Sequence, residues 1–91
     1  MLIQVTTKNF SDIIFNSKQT VLLSFLSSDK ETAKKQKDTL HQFALQNPHI
    51  LVANIDSEKE LSLVTMYKSS PVGIPSVKVF KNGRCIASED G

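Results

Sequence analysis

The sequence has no tryptophan, one tyrosine, one cysteine and one arginine among its 91 residues. Each scarcity removes a class of chemistry. A single thiol, Cys85, closes no intramolecular disulfide and builds no cysteine-based zinc site. His41 and His49 stand too far apart to act as a helical ligand pair, so no metal and no cofactor are expected. Arg84 is the lone arginine among eleven basic residues, and arginine is the side chain that reads guanine edges and grips phosphates with paired hydrogen bonds. With few aromatics to stack on bases, no nucleic-acid partner is expected. Long apolar runs are missing too. No stretch approaches the roughly 18 apolar residues of a membrane span, and the opening MLIQVTTKNF has no apolar core of a secretory signal. The expectation is a cytoplasmic protein that does not engage a membrane.

What remains is ordinary for a globular chain: 40% apolar residues, 22% charged residues and a formal charge of +2. The length suits one domain over residues 1–91. Residues 2–5 form a short apolar run. Thr6 and Thr7 can cap a following helix of about two turns, in which Phe10, Ile13 and Ile14 fall at i, i+3, i+4 and which ends near Asn16. The run VLLSFL at 21–26 is almost continuously apolar and suits a strand buried on both faces. Ser28-Asp29-Lys30-Glu31 fits a capping box, which predicts a helix from here to about Gln46, stopped by Asn47-Pro48. ILVANI at 50–55 reads as the next strand. A second box, Ser57 to Glu60, predicts a helix over about 58–68, with Leu61, Val64 and Tyr67 at helical spacing. After a loop with two prolines come a strand at 77–81, the hairpin signal Asn82-Gly83 and a returning strand at 84–88. The order β-α-β-α-β-α-β-β implies an α/β fold, with a mostly parallel sheet, right-handed crossovers and an antiparallel C-terminal hairpin.

With these elements in order, the chain resembles the thioredoxin-like family. The resemblance is carried by TTKNF at 6–10, VLLSF at 21–25, IDSEKEL at 55–61 with Tyr67, and GIPSVKVFKNG at 73–83, and it covers nearly the whole chain. It implies a three-layer sandwich with a mixed sheet and a cis proline at Pro75. It also places Lys30, Glu31, Thr32 and Ala33 where the family carries Cys-x-x-Cys. Both cysteine positions are changed, to Lys30 and Ala33, and Ser24 stands where the family buries an aspartate. Dithiol exchange needs one thiolate to attack and a second thiol to resolve the mixed disulfide. The family's oxidoreductase activity is therefore not expected, and no catalytic residue is assigned. What the resemblance leaves is a peptide-binding edge at Ile74, Pro75 and Ser76.

The remaining chemistry-bearing residues have plain readings. Lys30 reads as a solvated lysine in a capped first turn. Lys34, Lys35 and Lys37 join it on the second helix, interleaved with Asp29, Glu31 and Asp38. Glu31–Lys35 and Lys34–Asp38 both sit at i, i+4, so a solvated, salt-bridged face is expected. Cys85 reads as a small strand residue.

The family closes with another helix after the last strand, and this chain has no residues for it after Gly91. One sheet face should then be left open for a protein partner or a second copy. A non-catalytic thioredoxin-like domain that binds or scaffolds protein is the expected function. The alternative is a redox protein acting through Cys85 alone or through a partner's thiols.

Overall fold

The computed structural model describes residues 2–27, 29–56, 58–67 and 76–90. Five strands, β1 (Leu2–Gln4), β2 (Thr20–Leu26), β3 (Ile50–Asp56), β4 (Ser76–Lys81) and β5 (Arg84–Asp90), form one sheet in the order β1-β3-β2-β4-β5. β1, β3 and β2 run parallel, and β4 and β5 are antiparallel to their neighbours. Two α-helices, α1 (Lys30–Gln46) and α2 (Leu61–Tyr67), and a π-turn at Ser11–Phe15 complete the described chain. This is the α/β class with a mixed sheet and a C-terminal hairpin.

The crossovers decide which face each helix covers. From β1 to β2 the chain crosses the sheet in one direction, and from β2 to β3 it steps back. A constant right hand therefore sends the two connections to opposite faces. The larger core lies on the side of the π-turn and α2. There Phe10, Ile14 and Leu63 meet Val21, Leu23 and Phe25 of β2, with Ala53, Ile55 and Phe80 from the neighbouring strands. On the other side Leu40 and Ala44 of α1 pack on Leu26 and Val52. β2 alternates between the two cores, which is why its sequence is apolar throughout.

The first helix is shorter and wider than its spacing predicts. Asn16 N–H donates to the Ser11 carbonyl at 3.1 Å, a five-residue step. Upstream, Asn9 Oδ1 accepts from Thr6 N–H at 2.7 Å, so the chain turns tightly on a side chain before entering the π-turn. The wide turn keeps Phe10 and Ile14 buried and sets Phe10 edge-on to Phe15, with ring centroids 5.4 Å apart.

The hairpin forms where expected. Asn82 and Gly83 have φ of +53° and +78°, the pair of positive angles that a two-residue hairpin turn requires. A Cβ at Gly83 would sit 3.3 Å from the Phe15 carbonyl oxygen. Gly83→Ala should therefore cost about 1–2 kcal/mol for left-handed backbone in a residue with a Cβ. Urea melts of the two proteins measure it.

One irregularity follows the hairpin. Val79 pairs with Ala87 but Phe80 pairs with Cys85, so Ile86 is an extra residue on β5, a bulge. Ile86 is 59% exposed.

Candidate functional site

β2 ends and β4 begins at the same edge of the sheet, where Phe25 lies opposite Ser76. The N-terminus of α1 follows four residues after β2 closes. This corner holds residues 30–33 and Ser76 of those that the sequence singles out.

The cap of α1 differs from the capping-box reading. Asp29, not Ser28, is the N-cap: its carboxylate accepts from Thr32 N–H at 2.9 Å and from the Thr32 hydroxyl at 2.6 Å. Glu31 is consequently the second helical residue rather than the third, too early to close the box. Ser28 lies outside the described residues. The preceding loop is tied from both sides. Ser27 N–H donates to Gln36 Oε1 at 2.8 Å, and the Ser27 hydroxyl oxygen accepts from Asp29 N–H at 3.0 Å.

The Thr32 hydroxyl, then the Thr32 N–H, hold the Asp29 carboxyl below its ordinary value, and nearby Lys35 acts in the same direction. A carboxylate whose folded value is depressed contributes stability above its ordinary range and loses it as pH falls through the lowered value. Asp29→Ala should lower the melting temperature at neutral pH by a few degrees, and the gap to the unmodified protein should close in strong acid. Melting curves at neutral and acid pH check both parts.

Lys30 and Glu31 are exposed, whereas Thr32 and Ala33 are half-buried, and Ala33 packs on the smaller core. Neither Glu31–Lys35 nor Lys34–Asp38 closes to an ion pair among the described residues. All four residues are exposed, where closure gains little over hydration. Ser24 is buried on the α1 side of β2, where it borders a shallow groove of about 280 Å³ with Thr32, Gln36, Leu40 and Val77. Ile74 and Pro75, with the cis peptide bond expected there, lie outside the described residues. Ser76 opens β4 between Phe25 and Asp90. Cys85 is exposed on β5, and its thiol donates to the Ala87 carbonyl at 3.4 Å, a contact within the bulge. The fold therefore brings residues 30–33 and 76 to one end of the sheet and keeps Cys85 near the other, beside the hairpin.

Sequence reading missed the entry to α2. The helix begins at Leu61, not 58, because Asp56 builds a turn first: its Oδ1 accepts from Glu58 N–H at 3.0 Å and Lys59 N–H at 3.3 Å. Glu60 then reaches across to accept from Thr7 N–H at 2.8 Å, which pins the loop after β1. An Asp two residues before a helix-like run was the available signal. The turn also carries Lys59 toward α1, where it joins Lys30, Lys34 and Lys37 around a groove of about 440 Å³.

Among the described residues no group of histidine, cysteine or acidic side chains could hold a metal ion, and no helix is long and apolar enough to cross a membrane. No protein-family model and no curated protein matches the chain. Among solved structures it is similar to one described as "Crystal structure of a designed protein", with a TM-score of 0.84 over 98% of this chain and 78% of the other, at 14% sequence identity. At that identity the likeness shows a shared α/β fold.

Proposed function

We propose that this chain is a non-catalytic thioredoxin-like domain, cytoplasmic, that binds protein through the sheet face beside α1. One observation carries the proposal. α1 packs chiefly over β3 and β1, so on its side of the sheet β4 and β5 have no helix above them among the described residues. Val77 and Val79 are half-buried there, and Ala87, paired with Val79, is exposed. Val79 lies opposite Leu22 of β2, so the strip continues the smaller core outward. A partner protein or a second copy of the chain would complete that layer.

The thioredoxin-like assignment is supported by the element order, by the hairpin at Asn82-Gly83, and by the position of residues 30 and 33 in the first turn of α1. With lysine and alanine there and one cysteine in the chain, the dithiol reaction has no reactants. Ile74, Pro75 and Ser76 are the proposed edge for an extended peptide.

Val77→Lys with Val79→Lys should abolish association seen by sedimentation velocity at micromolar protein, and should remove binding of the dye ANS, while leaving the far-ultraviolet dichroism unchanged. An unmodified protein that sediments as a stable monomer and binds no ANS would overturn the proposal. The second reading, exchange through Cys85 alone or with a partner's thiols, is favoured by the exposure of that thiol. Insulin reduction above background that disappears in Cys85→Ser would establish it instead.

A further inference from the structure

We infer that the groove between α1 and the β3–α2 turn is a binding site for a small ligand carrying two or more linked phosphates. The inference is independent of the protein-binding face, which lies on the β4–β5 side of α1.

Two observations meet here. The first is topological. β2 and β3 are adjacent and parallel, and their following helices leave to opposite faces, α1 toward the smaller core and α2 toward the larger. Where neighbouring parallel strands diverge in this way, a crevice opens beyond their carboxyl ends, and α/β sheets place ligands in it. The groove of about 440 Å³ lies at that point, bordered by Leu26 and Ser27 at the end of β2 and by Asp56 at the end of β3. Its volume falls in the range of small-molecule sites, roughly 300–1,000 Å³.

The second observation is charge. Lys30, Lys34, Lys37 and Lys59 line this groove, against Asp56 and Glu58. Asp56 Oδ1 is engaged by the Glu58 and Lys59 N–H groups. None of the four ammonium groups is in an ion pair among the described residues. Lys30 and Lys34 are a like-charge pair at i, i+4, an arrangement that costs an isolated helix stability rather than adding to it. A bound anion would relieve that repulsion.

The spacing sets the ligand. At about 1.5 Å rise per residue, Lys30, Lys34 and Lys37 span about 10 Å along α1. A short phosphate chain can follow this row and bridge neighbouring lysines, with Lys59 on the opposite wall. The N-terminal end of α1 adds a partial positive charge at the Lys30 end.

Calorimetry and amide-shift mapping test this with sodium pyrophosphate, sodium triphosphate and adenosine triphosphate, each at low salt. Saturable binding is expected, with shifts confined to residues 26–37 and 56–60. Lys34→Glu with Lys37→Glu should weaken binding by about tenfold or more. The same charge change at the far end of the sheet, Lys18→Glu with Lys81→Glu, should not. Equal affinity for triphosphate and its nucleotide would assign the site to the phosphate chain alone. Tighter nucleotide binding would mean that the groove also holds the nucleoside. Absence of binding at millimolar ligand would overturn the inference. So would equal weakening by the distant pair, or preference for an acidic peptide over every phosphate.

Discussion

Phe25→Ala should remove a large part of the protein's stability, about 3–5 kcal/mol. Phe25 lies on the central strand, 1% exposed, with β3 on one side and β4 on the other. Its ring belongs to the larger core, alongside Ile55, Leu63 and Phe80. Truncating a buried phenylalanine to alanine costs about 3–5 kcal/mol, from lost transfer free energy and from the cavity left behind. A domain of this length has a total stability of about 5–14 kcal/mol. The position is also poorly placed to relax, because hydrogen bonds to both neighbours hold β2 in register. The same truncation at Leu40, in the smaller core under α1, should cost less, since α1 can settle toward the sheet and that core has fewer buried members. Chemical denaturation of the two variants, compared in one denaturant, measures the difference. A Leu40→Ala cost equal to or above that of Phe25→Ala would mean that the α1 side carries more of the stability than its burial indicates.

Lys30→Cys combined with Ala33→Cys should give the domain a dithiol pair, which its one cysteine does not provide. Residues three apart in the first helical turn bring their Cα atoms within the roughly 4.4–6.8 Å that a disulfide spans. Position 30 is exposed and is the first residue of α1, so a thiol there sits at the positive end of the helix. Thiols in such positions titrate at about 3.5–7.5 rather than about 8.5. Position 33 is half-buried against the smaller core, where a resolving thiol is shielded until the first has reacted. Insulin reduction by the double variant should rise well above the unmodified protein, and neither single variant should turn over. If the double variant folds, titrates with an unshifted thiol and stays at background, the proposed thioredoxin-like reading of this corner fails.

β2 and β3 were legible because VLLSFL and ILVANI are almost continuously apolar, and the β4–β5 hairpin because Asn82-Gly83 permits few alternatives to a tight turn. The helix starts were less so. Around residues 28–32 two capping patterns overlap one residue apart, Ser28 with Glu31 and Asp29 with Thr32. The carboxylate wins because it accepts two hydrogen bonds from one residue. At α2 a similar competition shifted the start from 58 to Leu61: the Asp56 carboxylate takes the Glu58 and Lys59 N–H groups, and its carbonyl takes Glu60 N–H, the donor that a Ser57 cap would serve. The lysine-lined groove was not legible at all. Lys59 is distant in sequence from Lys30, Lys34 and Lys37, and only the step from β2 to β3 brings the two segments to one crevice. A row of lysines read on its own helix has the look of solvation, and its second wall comes from the fold.

The bulge at Ile86 has a consequence for the protein in crowded solution. A sheet with two free edges can recruit identical molecules strand by strand, and the risk grows with the length of regular edge on offer. Here one edge is β1, three residues long. The other, β5, is seven residues long, but the extra residue breaks its alternation near the middle. Neither border therefore presents a long, evenly spaced row of donors and acceptors to another molecule's strand. Deleting Ile86 should restore such a row, and is expected to raise strand-to-strand association while costing little of the folded core.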